Sequence, residues 1–243
     1  MTDEPVITSI WDHFSELRRR LLISLAALAV TSLASFSLAG RIVEALAMPI
    51  GGLDKLQAIE VTETIGVFMR VSLLSGIILA MPILLYEALA FILPGLTPGE
   101  KRWVLAAIPT ASLLFVAGAA FSYFIMLPPS IDFLISFMDV ATVPRLSDYM
   151  KFVTNLIFWI GISFQLPLIA FLLAKVKLIN AGMLGRYWRI AVIIISILAA
   201  VISPTVDPIN MALLMLPLFI LYLLSVLLAA IANPKPREKN LKK

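Results

Sequence analysis

The sequence predicts an all-α integral membrane domain whose six kinked transmembrane helices form a concave wall. A cytoplasmic N-terminal amphipathic helix and helical outer loops complete it. Three observations lead there. Apolar residues make up 61% of the 243 and charged residues only 14%, with a mean hydropathy of +1.01. Soluble domains lie near ~45–50% apolar and ~25% charged, and a soluble globule of this length could not hide such a surface from water. The apolar residues also fall into six runs separated by polar or proline-rich breaks. Lysine and arginine, finally, collect in alternate breaks. The whole chain, 1–243, reads as one membrane domain: an amphipathic segment over 1–20, six spans with their loops over 21–232, and a basic cytoplasmic tail over 233–243.

The first span is expected at Leu21–Ala39, the second at Val67–Leu93 and the third at Val104–Leu127. The fourth covers Phe152–Ala174, the fifth Ile190–Ile202 and the sixth Pro208–Ile231. The fifth is short for ~30 Å of hydrocarbon at ~1.5 Å per residue, which implies local bilayer thinning or a turn below the surface. Only Ser203-Pro204-Thr205-Val206-Asp207-Pro208 separates it from the sixth, so the two form a tight helical hairpin. Pro82, Pro109, Pro167 and Pro217 lie inside spans. Kinks at such positions bend helices into a curved wall, and proline is also simply common in membrane helices.

Orientation follows from the basic residues. The flank at 18–20, the loops at 94–103 and 175–189, and the tail carry fourteen lysines and arginines; the alternate loops carry four (Arg41, Lys55, Arg145 and Lys151). Both termini are therefore expected in the cytoplasm, and the loops at 40–66 and 128–151 outside. Arg41–Met48 and Ser130–Met138 have helical apolar spacing and are bracketed by prolines (Pro49; Pro128, Pro129, Pro144), which predicts short interfacial helices capping the outer face. The N-terminal stretch does not read as a cleaved signal, because the apolar run after Arg20 is too long for one and further spans follow.

Several chemistries are missing. The chain has no cysteine, hence no disulfide, thiol nucleophile or thiolate metal site. Its single histidine, His13, cannot form a zinc-binding H-E-x-x-H. No phosphate-binding G-x-x-x-x-G-K-[ST] and no G-x-S-x-G nucleophile elbow occurs. Nothing argues for an enzyme, a cofactor or a nucleic-acid partner, and any transport needs an external energy source.

Three blocks carry a family resemblance. Trp11, Phe14, Leu17 and Leu21 form one apolar helix face in Asp12-His13-Phe14-Ser15-Glu16-Leu17-Arg18-Arg19-Arg20-Leu21, a stretch read as lying along the membrane. Phe68-Met69-Arg70-Val71-Ser72-Leu73 leads through Met81-Pro82-Ile83-Leu84-Leu85-Tyr86-Glu87 into Phe91-Ile92-Leu93-Pro94-Gly95-Leu96-Thr97-Pro98-Gly99-Glu100-Lys101-Arg102. Ser203-Pro204 with Asp207, Leu216-Pro217-Leu218 and Leu221-Tyr222 form the third, and Met48-Pro49 adds an outer-loop proline. Together they resemble the TatC family, the receptor core of twin-arginine protein export, over nearly the whole chain.

That resemblance implies a core receptor subunit in the bacterial or archaeal cytoplasmic (inner) membrane. It would bind twin-arginine signal peptides on the cytoplasmic side, recruit single-span subunits of the TatA/TatB type, work as a homo-oligomer within a larger complex, and export folded proteins on the proton motive force. Guanidinium pairs call for carboxylates offered in planar, bidentate fashion. Glu16 and Glu100 match the family's receptor glutamates. Leu17, Phe68 and Phe91 could meet apolar positions near the signal arginines, and Arg18 matches a family arginine that could orient Glu16. Pro49, Pro82 and Pro94 are structural. For each acid the plain alternative is a solvated carboxylate paired with Arg18 or with Lys101 and Arg102. His13 is read as an interfacial hydrogen-bonding residue.

Two departures stand out. Gln165 precedes Pro167 where the family often has glutamate, and Tyr222-Leu223-Leu224 lacks an acid that often follows the tyrosine. Gln165 could hydrogen-bond a neighbouring single-span subunit at ~1 kcal/mol, or the backbone freed by Pro167. Glu87 could snorkel to the interface or line a polar cavity, and Asp207 could cap the sixth helix or serve function. The competing reading is a small-solute secondary transporter, which predicts a midplane polar site between repeated halves; no convincing inverted repeat is present.

Overall fold

The computed structural model describes residues 10–92, 98–136, 143–203 and 208–232. Side chains are described for these except at 10–13, 92, 98, 100, 136, 209 and 210. Pro94, Asp207 and the Glu100 side chain thus lie outside the described residues, as do the hairpin turn at 204–207 and the tail at 233–243.

The described chain is helical. Its α-helices are α1 (Ile10–Phe36), α2 (Ala39–Ala47), α3 (Glu63–Ile92), α4 (Pro98–Phe121), α5 (Leu127–Ser136), α6 (Leu146–Ser163), α7 (Leu166–Lys175), α8 (Ala181–Arg186), α9 (Trp188–Ile202) and α10 (Pro208–Ala232). Among the described residues five runs are long and apolar enough to cross a membrane: Phe14–Phe36, Glu63–Phe91, Lys101–Ile135, Leu146–Lys175 and Met211–Ala232. The fifth predicted span is α9, whose 15 residues reach only ~22 Å.

Burial is arranged for lipid. Leu33 is 75% exposed and Leu113 68% exposed, and such side chains face outward along most of the spans. The interior core gathers where α2, α3, α5, α6, α9 and α10 converge, around the fully buried Leu127, Met150, Leu156, Ile160, Leu214 and Leu218. A smaller cluster of Ala174, Ala229 and Ala232 closes the end that bears the basic loops. This is the basic end of the molecule, and the opposite one is its far end.

α1 packs chiefly on α3, antiparallel to it. Small residues permit the approach. A Cβ on Gly76 would fall 2.2 Å from Ser32 Oγ and 2.7 Å from Ser32 Cα, so nothing larger than glycine fits. Thr31 Oγ1 also donates to the Gly76 carbonyl at 2.9 Å. A second close crossing joins α4 to α6, where Gly118 meets Gly161 and Phe164, and Gly161 meets the buried Phe115.

Two expectations need correction. The amphipathic lead-in does not form a separate helix along the membrane; it and the first span are one helix from Ile10 to Phe36. Its apolar face simply continues into the span. Nor does Ser130–Met138 begin an independent outer helix. α4, a π-helical turn at Ser122–Met126 and α5 run on without a break. Pro128 and Pro129 lack N–H donors, and proline normally interrupts a helix. Here the wider turn shifts the register just before them, with Leu127 N–H reaching back to the Ser122 carbonyl.

In the fourth span proline acts as expected. α6 stops at Ser163, and Pro167 sits in the first turn of α7. Pro82, Pro109 and Pro217 lie within unbroken helices. Pro49 occupies the 3-10 turn Met48–Ile50 that closes α2, followed by Gly51 and Gly52 at φ 98° and 106°.

Candidate functional site

A carboxylate–guanidinium cluster joins α1 to α3 at the basic end. Arg20 donates from Nη2 and Nε to Glu16 Oε1, at 2.7 and 3.0 Å. Its Nη1 donates to Glu87 Oε2 at 3.0 Å. Glu16 and Arg20 are four residues apart on one helix, so the 3.6-residue repeat stacks them on the same face. That face packs on α3, and the antiparallel register brings Glu87 opposite. The Glu87 side chain keeps only 10% of its exposure, against 23% for Arg20 and 32% for Glu16. An ionised group so near hydrocarbon needs a partner, and Arg20 is that partner. Glu87 is thus paired with Arg20 across the α1–α3 contact.

The predicted site residues divide between the two ends. Leu17 and Arg18 are exposed beside Glu16, and half-buried Phe91 lies one helical turn beyond Glu87. Glu100 falls in the first turn of α4. That helix starts six residues after Ile92, hence within ~20 Å of it at full extension. Phe68 is elsewhere. It packs edge-on against Phe36 with ring centroids 6.3 Å apart, at the far end and ~30 Å along α1 from Glu16.

Gln165 is buried at the break between α6 and α7 and donates from Nε2 to the Ala111 carbonyl of α4 at 3.0 Å. The bond stays within the chain, but its acceptor is on another helix and is not the backbone freed by Pro167. Trp103 packs on Phe171, and the Lys175 ammonium lies 4.6 Å from its ring centroid, fixing the start of α4 to the end of α7.

The far end holds a second cluster that motif reading missed. Glu63 Oε2 accepts from Ile59 N, Glu60 N and Arg145 Nε, and its Oε1 accepts from Ser147 N at 2.6 Å. Arg145 also pairs with Glu60 at 2.7 Å. The bonds to Glu60, then Glu63, hold its guanidinium above its ordinary pKa. Tyr123 and Tyr149 donate to the Ala45 and Leu46 carbonyls in the C-terminal turn of α2, at 2.6 and 2.8 Å, and the Ala45 carbonyl also accepts from Met48 N–H. The last-turn carbonyls of a helix lack partners of their own, which is a signal for such donors, but no spacing rule tells which tyrosine supplies them.

Comparison with known proteins gives one consistent result. The family model described as Sec-independent protein translocase protein (TatC) matches residues 12–217. A protein of that name from Deinococcus radiodurans is 36% identical over 95% of this chain and 90% of its own. One from Campylobacter jejuni is 35% identical over 93% and 96%. A chloroplast protein of Arabidopsis thaliana, similarly named, is 35% identical over 88% of this chain and 64% of its own. A crystal structure described as the twin arginine translocase receptor TatC superposes with a TM-score of 0.81 at 33% identity, covering 90% of this chain and 99% of that one.

Proposed function

The chain belongs to the TatC family, and from that premise we propose that it is the core receptor subunit of a twin-arginine translocase, a non-enzymatic, multi-pass component of protein export. The basic end faces the cytoplasm, as its excess of lysine and arginine favours, with both termini there and the membrane being the bacterial or archaeal inner membrane. Signal peptides bearing paired arginines bind at that end. TatA/TatB-type single-span subunits dock laterally, several copies of the chain share one complex, and the proton motive force drives export.

One observation in particular supports the receptor reading. Glu16, a residue matched to the family's receptor glutamates, already holds a guanidinium through two of its N–H groups. The local geometry therefore suits arginine. Glu100 supplies a second carboxylate to the same end; Arg18 and Leu17 flank the first, and Phe91 offers an apolar contact. Phe68 takes no part in this seat, given its distance. Gln165 acts as a brace between α4 and the α6–α7 break. Lateral recruitment through it would first have to break its bond to Ala111.

The test is complementation. In cells lacking their own subunit of this family, the chain should restore export of a folded fluorescent protein carrying a twin-arginine signal. Its Glu16→Ala variant, made to equal level, should not. Failure of the wild-type chain beside matched single-span partners, together with solute uptake by vesicles containing it, would favour the transporter reading instead.

A further inference from the structure

The Glu16–Arg20–Glu87 cluster can do more than pin α1 to α3. Arg20 spends three of its five N–H donors on two carboxylates from different helices. An external arginine seeking Glu16 therefore meets an acid already in use. It also meets Arg18 and Arg19, both exposed beside it, so the net field there does not invite a cation unless Arg20 withdraws.

Building on the receptor reading above, we propose that Arg20 is a resident stand-in for a signal arginine, occupying a seat made by Glu16 and Glu87 that an incoming signal arginine takes by displacing it. Glu87 is then a direct receptor carboxylate, a role no motif assigned to it.

Three features support the exchange. The Arg20 side chain is 23% exposed, and its long stem lets the head swing out toward water or headgroups while the methylenes stay against apolar surface. Glu87 is the more deeply buried partner, so its charge resists being left alone. Arg20 consequently leaves when another guanidinium arrives and stays otherwise. The seat also distinguishes the two cations. A planar fork bridges acids on both helices as Arg20 does, whereas a lysine ammonium is a compact point donor without the fork. Because the incoming arginine must break contacts like those it makes, its net affinity is lowered, which suits a receptor that has to release its cargo.

The experiment measures binding of a fluorescent twin-arginine signal peptide, and of its twin-lysine form, to the detergent-solubilised full chain. Arg20→Gln should tighten twin-arginine binding about tenfold, or about 1.4 kcal/mol. Adding Glu87→Gln to Arg20→Gln should remove most of that gain. Twin-lysine binding should gain less than twin-arginine binding. The proposal is overturned if Arg20→Gln, with wild-type elution and helical circular dichroism, binds no better or worse than wild type. A double variant that keeps the full gain also overturns it, since Glu87 would then be no receptor acid. Should Arg20→Gln fail to fold, Arg20→Lys serves, with a smaller tightening expected and no tightening as the contrary result. Absence of binding to the wild-type chain would instead remove the receptor reading itself.

Discussion

At the scale of single residues, the structure is organised by polar groups that each close one gap in a lipid-facing bundle. Gln165 is the clearest case. Its donation to Ala111 joins two helices at a point where Pro167 has already broken one of them. Gln165→Leu should lower stability by ~1 kcal/mol, the usual worth of such a bond. It would be read as a lower midpoint of thermal unfolding in detergent, with helicity retained. Tyr149→Phe should cost a similar ~1 kcal/mol by leaving a carbonyl of α2 without its donor. Sequence showed these residues unevenly. Glu16 stood out because its motif is specific, and Gln165 because an amide deep in a span needs a partner. The partners were not legible. Ala111 is 54 residues from Gln165 and Glu87 is 67 from Arg20; only the packing of helices brings such pairs together. Arg20 itself looked like one more basic residue of a cytoplasmic flank.

At the scale of helices, apolar run length located five runs long enough to cross a membrane among the described residues, and a sixth, α9, that falls short of that length. The predicted 67–93 and 190–202 became Glu63–Ile92 and Trp188–Ile202. Composition failed where two helices are fused. Pro128 and Pro129 suggested a break, and the π turn at Ser122–Met126 absorbs them instead. An amphipathic lead-in can likewise either lie along a membrane or continue into a span, and hydropathy alone does not separate the two. The crossing of α1 on α3 yields a paired prediction. Gly76→Val would drive a side chain into the α1 backbone at Ser32 and should cost ~2 kcal/mol or more. A disulfide engineered across that crossing would then form poorly. Gly66→Ala is the control. It lies on the same helix, where an added Cβ would meet nothing within 4 Å, and by helix propensity it should be neutral or slightly stabilising.

At the scale of the whole molecule, the two ends have different work. The far end is tied by Glu63, Arg145 and the two tyrosines, and the main core lies toward it. The basic end carries the Glu16–Arg20–Glu87 cluster and a much smaller alanine cluster. The proposed orientation can be checked directly, because the chain has no cysteine of its own. Val61→Cys is at a position 97% exposed at the far end, and Leu178→Cys at one 68% exposed at the basic end. In intact cells a membrane-impermeant maleimide should label the first and not the second; the reverse pattern would invert the topology and move the seat outside.

Everything proposed for function turns on whether carboxylates at the basic end receive paired arginines. Titrating the detergent-solubilised chain with labelled twin-arginine and twin-lysine peptides, using wild type, Glu16→Gln and Glu100→Gln, answers that without an intermediate step. Wild type should prefer twin-arginine, and each substitution should weaken that binding by ~2 kcal/mol, the scale of a charge-assisted bond, and erase most of the preference. Equal affinity for both peptides, unchanged by either substitution in folded protein, would mean that these carboxylates are not the receptor.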